Sequence, residues 1–413
     1  MGKRIVITGI GIVSPIGIGK EEFWKKLFAG QTGFREITLF DTKDLKVKTA
    51  GEITDFKPKA ILGEKGLMDL DRATLLLLSA TKLALEDGGL QIDESNTYRT
   101  GVSVGTTFGS LHSISKFDRE SLTEGPRYVN PMVFPSTVAN SPASRISIKF
   151  RIKGFNTTIS TGMSAALDAI DYANDFISLD KADTVVVGSV EDLAMQTFLG
   201  FYKLNYLSGL KGISSDPICC PFDNRRNGII FSEGATILIL QDSEFAKKNN
   251  AHIYGEILGI GSCFDPAKFY KYNPKGEGMK MAMTKALEAA NLSPKDIDCI
   301  FANANSTKDA DVIETKAIKS VFGEYAYKIP VTAVKSMLGE SYSVSGGFAT
   351  IAALGSLGKG IIPPTLNYKE KDTDCDLDYV PNKSRKKELS NVMINSFGPN
   401  GVNTSLIIGK CAN

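Results

Sequence analysis

Short runs of aliphatic and β-branched residues alternate with helical patterns along the chain, and this alternation constrains the fold more than any other feature. Arg4–Thr8 predicts a strand, and the segment around Ala73–Leu85, closed by Gly88–Gly89, predicts a helix. The continuous apolar runs Thr184–Val187 and Thr236–Leu240 indicate strands that are covered on both faces. Strands and helices in this alternation predict an α/β protein.

The pattern restarts after about residue 250. The second series is predicted to contain strands at Ile253–Ile260, Cys299–Ala302, Pro330–Val334, Val392–Ser396 and Thr404–Ile408, and helices at Met279–Ala290, Val312–Val321 and Ser345–Leu357. Two similar αβ halves, residues 1–250 and 251–413, are the most economical interpretation. Because no linker or change of composition marks the boundary, we expect the halves to share one packed body.

Composition and charge exclude several classes of protein. Hydrophobic residues make up 42% of the 413 residues, which excludes a disordered chain. The formal net charge is only +2 and the sequence has no long basic block, so the chain lacks the positive charge that is typical of nucleic-acid-binding proteins. The apolar N-terminal stretch is too short for a membrane span and lacks a cleavage site, and six cysteines without framework spacing fit a reducing compartment. We therefore expect a cytoplasmic protein with no nucleic-acid or membrane partner.

The sequence predicts no bound cofactor and no metal. The glycine pairs in Gly9–Gly11 and Gly259–Gly261 both lack the third glycine of a dinucleotide-binding motif. The chain contains only two histidines, so a zinc site rich in histidine is not expected. Cys219 and Cys220 are predicted to be small buried residues rather than a reactive pair.

One segment, Thr158–Ile170, runs from small hydroxyl residues into a helix, as a turn that presents a nucleophile does. It resembles the active-site elbow of the β-ketoacyl-acyl carrier protein synthases, in which a cysteine at the helix N-terminus carries the growing acyl chain. Further blocks match that family in the same order, at Asn130–Thr137, Pro221–Ala235, Val334–Gly339 and Asn395–Asn403. The resemblance covers essentially the whole chain. It implies a thiolase fold, with two similar βαβαβαββ halves in a five-layered α-β-α-β-α arrangement, assembled as a two-fold dimer.

The catalytic positions of that family are where this chain departs from its pattern. Met163 stands at the nucleophile, Asn303 and Glu340 stand at the two histidines, and Lys335 is retained. A thioether cannot ionise to form a thioester, and a carboxylate repels the enolate that the histidines stabilise. Pro399 stands where the family uses a backbone N–H in its oxyanion hole, and proline has none. We therefore predict no condensing activity, together with a structural ion pair between Lys335 and Glu340.

A helical stripe of Leu111, Ile114 and Phe117 follows a predicted strand at Val102–Gly105. Such a stripe is typical of core packing. In the resembled family, however, this helix lines the acyl tunnel at the dimer interface, and Phe134 lies in the interface loop. These four side chains are therefore candidate tunnel residues.

A condensing-enzyme fold without its nucleophile and histidines is similar to the chain length factors, the inactive partner subunits of type II polyketide synthases. The resemblance implies a heterodimer with an active ketosynthase, which receives its intermediates on the phosphopantetheine of an acyl carrier protein, and a tunnel at the interface that sets polyketide length. Met163 departs from the glutamine usual in these subunits. Two alternatives stay open. One is an atypical acyltransferase or malonyl decarboxylase that uses Ser164, or Lys335 with Glu340, and the other is a scaffold subunit of a fatty-acid or polyene synthase.

Overall fold

The computed structural model describes residues 3–68, 70–211, 216–266 and 270–411. Within these residues, ten strands lie side by side in the central sheet. They are β1 (Ile5–Ser14), β2 (Thr100–Gly105), β3 (Asn156–Ile159), β4 (Thr184–Glu191), β5 (Gly234–Asp242), β6 (Gly255–Phe264), β7 (Cys299–Phe301), β8 (Val331–Thr332), β9 (Asn391–Phe397) and β10 (Val402–Gly409). Two-residue strands lie at Gly17–Ile18, Arg35–Glu36, Thr49–Ala50, Ile361–Ile362 and Arg385–Lys386.

The strand order shows the internal repeat. The sheet runs β3-β2-β4-β5-β1-β6-β10-β9-β7-β8, so each half has the same order when it is followed outward from the central β1–β6 pair. The two outermost strand pairs of each half are parallel, namely β3–β2 and β2–β4 in the first half and β8–β7 and β7–β9 in the second. The remaining pairs on this path are antiparallel. The two halves meet through antiparallel pairing of Ile5–Ile7 with Gly255–Ile257. The two similar halves predicted from the sequence are confirmed.

Helices cover both faces of each half-sheet. The helices are α1 (Lys20–Phe28), α2 (Pro58–Leu62), α3 (Arg72–Asp87), α4 (Leu111–Thr123), α5 (Ser141–Phe150), α6 (Ala165–Ser178), α7 (Met195–Lys203), α8 (Ser243–Lys248), α9 (Glu277–Ala290), α10 (Lys308–Phe322), α11 (Lys335–Leu338) and α12 (Ser345–Lys359). Residue 250, where we propose that the halves meet, lies between α8 and β6. No helix of the described ranges is long and apolar enough to cross a bilayer.

The central layer consists of α6 and α12, which pack in one hydrophobic cluster with the inner faces of both half-sheets. All residues of α12 from Ser345 to Leu357 are buried, as expected for a helix enclosed on every side. On the outer faces, α3 packs with the first half-sheet, and α9 and α10 pack with the second. The resulting layers are α-β-α-β-α, as the family resemblance implied.

The glycine pairs of β1 and β6 permit close packing of the outer helices. A Cβ on Gly11 would lie 1.8 Å from the Ala80 carbonyl oxygen of α3, and a Cβ on Gly261 would lie 2.3 Å from the Ala282 carbonyl oxygen of α9. The same contact therefore recurs in both halves. Helix packing therefore explains why glycines stand at these positions. Strand β1 continues past its predicted end at Thr8, through Gly9 and Gly11, to Ser14.

One predicted strand is shorter than expected. Residues 330–334 were predicted as a strand, but β8 contains only Val331 and Thr332. The backbone N–H of Ala333 donates to the hydroxyl of Thr365 at 2.9 Å instead of continuing the ladder. The chain then turns into α11, which begins at Lys335 and brings that side chain into the site described next.

Candidate active site

A tight turn between β3 and α6 presents Met163 in the interior. Gly162 has φ +72°, and a Cβ there would lie 2.7 Å from Nδ2 of Asn400, so the turn favours glycine. The Ser396 hydroxyl donates to the Met163 carbonyl at 2.7 Å, while the Ser164 hydroxyl donates to the Ser396 carbonyl at 2.8 Å. These reciprocal bonds fix the turn against β9, and they leave Met163 only 1% exposed.

Three side chains named from the sequence form a buried polar group. The Lys335 ammonium donates to Oε2 of Glu340 at 2.9 Å and to Oδ1 of Asn303 at 2.9 Å. Lys335 is 4% exposed and Glu340 is 1% exposed, so the pair lies away from solvent. The predicted ion pair is therefore present. Because both charges are buried, the folded state tolerates each charge only when the other is present.

The remaining acceptor positions of Glu340 are also occupied. Its Oε1 accepts from the Ser345 hydroxyl at 2.7 Å and from the backbone N–H of Tyr342 at 3.0 Å. Its Oε2 accepts from Nδ2 of Asn305 at 3.2 Å in addition to Lys335. A carboxylate with both oxygens bonded in this way serves as a structural anchor.

Asn303 is fixed by hydrogen bonds from both its backbone N–H and its side-chain amide. Its N–H donates to Oε1 of Glu314 at 2.9 Å, and its Nδ2 donates to the Phe397 carbonyl at 3.0 Å. Burial raises the pKa of Glu314 to about 7, although hydrogen bonds from Asn303, Asn395 and Ala304 act in the opposite direction. Glu314 carries no sequence signal beyond its place on a helix, and only the fold reveals its contact with Asn303.

Tyr272 connects this polar group to Met163. Its hydroxyl lies 3.8 Å from the Met163 sulfur and 3.3 Å from the Phe397 carbonyl oxygen, which also accepts from Asn303. Burial raises the pKa of Tyr272 well above its usual range, so the phenol stays protonated. Nothing in the sequence identified Tyr272, because its position 109 residues after Met163 gives no local signal.

An aromatic cluster surrounds the turn from another direction. Met163 belongs to one hydrophobic cluster with Tyr342 and Phe231, and the rings of Phe108 and Phe201 pack against it. The ring centroids of Phe108 and Tyr342 are 4.9 Å apart, and those of Phe201 and Tyr342 are 5.7 Å apart. Met163 therefore lies in a cluster that contains several aromatic rings.

Two family models account for most of the chain. Beta-ketoacyl synthase, N-terminal domain, matches residues 2–246, and Beta-ketoacyl synthase, C-terminal domain, matches residues 254–369. The chain belongs to the β-ketoacyl synthase family. It is 34% identical over 408 residues to 3-oxoacyl-[acyl-carrier-protein] synthase 2 of Coxiella burnetii, with 99% of each chain covered. It is 32% identical over 409 residues to the synthase of the same name from Staphylococcus aureus, which covers 99% of this chain and 98% of that one.

Solved structures extend the comparison to polyketide synthesis. The ishigamide ketosynthase/chain length factor superposes with a TM-score of 0.92 at 32% identity, and 100% of both chains is covered. A type II polyketide synthase ketosynthase in complex with its acyl carrier protein, AntDE:AntF, superposes with a TM-score of 0.91 at 28% identity and the same coverage. This member of the β-ketoacyl synthase family is therefore similar both to 3-oxoacyl-[acyl-carrier-protein] synthases and to a type II polyketide synthase ketosynthase.

The loop with Pro399 lies beside the turn of this family member. Gly398 donates its N–H to the Val402 carbonyl at 2.9 Å, and Gly401 donates to the Gly398 carbonyl at 3.0 Å. Pro399 has no N–H to offer. Asn400 links the loop to the turn through a bond from its Nδ2 to the Thr161 carbonyl at 3.2 Å. The structure thus brings Met163, Asn303, Lys335, Glu340 and Pro399 into one region.

The alternative nucleophiles have no activating partner. Ser164 is fully buried, and its hydroxyl bonds to the main-chain carbonyls of Ser396 and Val402. Burial raises the pKa of Cys219 well above its usual range and that of Cys220 to about 12, so both are inert buried thiols, as predicted. Among the residues that the structure describes, no group of three His, Cys, Asp or Glu side chains is arranged to hold a metal ion.

The candidate tunnel residues lie at the surface of the chain. Leu111, Ile114 and Phe117 on α4 are half-buried and belong to none of the hydrophobic clusters of the described residues. Phe134 is 60% exposed, and its ring centroid lies 6.2 Å from that of Phe117. The stripe therefore lies outside the clusters of the described core, and its role in a tunnel stays a prediction.

Proposed function

We propose that this chain is a non-catalytic, chain-length-factor-like subunit that pairs with an active ketosynthase in a type II polyketide synthase. Its contribution is the surface of the tunnel in which the polyketide grows, while the partner holds the acyl chain on its own cysteine. An acyl carrier protein delivers the intermediates to that partner. The structural likeness to the ishigamide and AntDE:AntF proteins supports this choice of system.

The observation that carries the proposal is the buried group at the family's catalytic positions. Condensation needs an ionisable nucleophile and free donors for the developing enolate. Met163 supplies a thioether, and the Lys335 ammonium donates to Glu340 and Asn303. Lys335, Glu340 and Asn303 are each hydrogen-bonded within the fold, which supports a structural role for this set.

The surface around α4 supports pairing with a second subunit. Leu122, Met132 and Phe134 are 86%, 69% and 60% exposed, which is unusual for large apolar side chains. Strand β3 forms one edge of the sheet and is itself only partly buried. Exposed apolar side chains and an open sheet edge both favour a partner with a similar sheet, as an intact ketosynthase has.

The proposal is tested with the chain alone and in complex with a ketosynthase from the same organism. Each preparation is incubated with malonyl- and acyl-loaded carrier protein, and intact-protein mass spectrometry follows acylation while product analysis follows condensation. We expect acylation only on the ketosynthase, and condensation only when that subunit is present. The ketosynthase with its nucleophilic cysteine changed to alanine is the matched control, and it should abolish both signals.

Three outcomes would contradict the proposal. Stable acylation of this chain would show a nucleophile that the geometry does not identify. Release of carbon dioxide from malonyl carrier protein by the chain alone would favour the malonyl decarboxylase. Soluble monomer that does not co-purify with the ketosynthase would argue against the heterodimer.

A further inference from the structure

We infer that two tyrosines, Tyr272 and Tyr342, close this chain's own acyl site around Met163, so that the site admits neither a pantetheine thioester nor an acyl chain. The inference rests on the proposed function, since a subunit that only shapes a shared tunnel has no use for a second open pocket. It goes further by assigning the closure to specific side chains, one near the polar group and one in the aromatic cluster.

Tyr272 occupies the space next to the sulfur at position 163. Its hydroxyl is 3.8 Å from that sulfur and 3.3 Å from the Phe397 carbonyl oxygen. An acyl group attached to a side chain at position 163 would need this same volume, because its carbonyl carbon would lie one bond from the attacking atom.

Tyr342 fills the cluster on which an acyl chain would otherwise pack. Its φ is +51°, a left-handed conformation that is rare for a bulky residue and is strained. The Glu340 carboxylate accepts from the N–H of Tyr342 at 3.0 Å and thereby supports this conformation. The Tyr342 ring packs at a tilt against Phe108 and Phe201 in the cluster that contains Met163.

Glu340 is consequently a positioning residue in this chain. It replaces the group that would stabilise an enolate, and the same carboxylate holds both the Lys335 ammonium and the backbone that orients Tyr342. The loss of chemistry and the closure of the site are therefore coupled through one side chain.

The test uses a thiol placed at the closed position. The Met163→Cys variant is purified in complex with the ketosynthase, and alkylation by iodoacetamide and by N-decyl iodoacetamide is followed by mass spectrometry of the peptide that carries the substitution. In this reaction the thiolate forms a bond to the methylene carbon, and iodide leaves. We expect slow labelling with Met163→Cys alone and about a tenfold faster rate when Tyr272→Ala is added. Adding Tyr342→Ala should increase the rate of labelling by the decyl reagent about tenfold more than the rate of labelling by iodoacetamide, because the substitution makes room for an alkyl chain.

Tyr325→Ala in the same background is the matched control. The Tyr325 hydroxyl also donates to a backbone carbonyl at 3.3 Å, that of Ile297, but it lies in the outer cluster of the second half. It should destabilise the chain without accelerating labelling. Tyr272→Leu, which keeps apolar volume but shortens the side chain, should accelerate labelling in the same direction if Tyr272→Ala does not fold.

Two results would overturn the inference. The first is rapid labelling of Met163→Cys with both tyrosines in place. The second is a labelling rate for the Tyr272 variants no higher than that for Tyr325→Ala. Either result would leave the proposed function standing, because an open site without a nucleophile is still inactive. Conversely, acylation of the unaltered chain would refute the proposed function without any labelling experiment.

Discussion

Removing one member of the buried Lys335–Glu340 pair should destabilise the chain far more than removing a single hydrogen bond around it. The change Glu340→Gln keeps the shape of the side chain and an oxygen for one or two of the existing donors. It leaves the Lys335 ammonium, which lies 2.9 Å from the carboxylate and 4% exposed, with neutral acceptors only. The loss of one partner from a buried pair costs about 3–5 kcal/mol.

The matched control removes one hydrogen bond from the same carboxylate. The Ser345 hydroxyl donates to Oε1 of Glu340 at 2.7 Å and accepts from the backbone N–H of Ser341 at 3.1 Å, so Ser345→Ala removes these two bonds and leaves the ion pair in place. Their loss is expected to cost about 1–3 kcal/mol. Glu340→Gln should therefore cost more than Ser345→Ala by about 2 kcal/mol.

Pulse proteolysis in urea is the suitable assay, because a gel then resolves this chain from the ketosynthase in the same complex. Protein concentration must be held constant, since dissociation contributes to the measured stability. The double change Lys335→Met with Glu340→Leu removes both charges and should cost less than the sum of the two single changes. A coupling of about 0.5–3 kcal/mol is typical of residues in contact.

Two results would refute this reasoning. If Glu340→Gln costs no more than Ser345→Ala, the carboxylate does not hold the ammonium in the fold. If the double change costs the full sum of Lys335→Met and Glu340→Leu, the two side chains do not depend on each other. The Lys335–Glu340 contact would then be incidental, and the case for a structural role at this position would fail.

Three further predictions concern the tunnel, the lost chemistry and the pH dependence. With the ketosynthase complex, Ile114→Ala should lengthen the product and Ile114→Trp should shorten it, because the side chain limits the room for further two-carbon units; unchanged length with lowered stability would mean that it only packs. Met163→Cys alone should restore no condensation, since the groups of such a site act as a unit; efficient turnover without the added changes Asn303→His and Glu340→His would contradict this. The pKa of Glu314 is raised to about 7, so the folded chain retains a proton that the unfolded chain loses near its usual pKa of 4.5. The stability contributed by Glu314 should therefore fall as the pH rises from about 5 to about 8, and pulse proteolysis should show Glu314→Gln losing less stability than the unaltered chain over that range; equal losses would contradict the shift.

The sequence was sufficient to predict much of the architecture. Local periodicity identified the helices near Ala73 and Met279 and the strands near Thr184 and Val392. These elements follow from short-range side-chain patterns that each segment carries by itself. The sequence also lacks the third glycine of a dinucleotide-binding motif after Gly9–Gly11. It could not supply the actual reason for those glycines, which is the close approach of α3 from some seventy residues away.

The sequence by itself determined which chemistry the candidate site lacks, whereas only the tertiary structure decided what replaces it. A methionine at position 163 and a proline at position 399 lack an ionisable group and an N–H in any fold, because these are properties of the residue type. The contact between Tyr272 and the Met163 sulfur joins two segments that are distant in sequence. Glu340 holds both Lys335 and Tyr342 because the backbone of Tyr342 is left-handed, and no local sequence pattern predicts that conformation. Such contacts arise from the packing of the two halves around their shared central layer, and packing is a property of the whole chain.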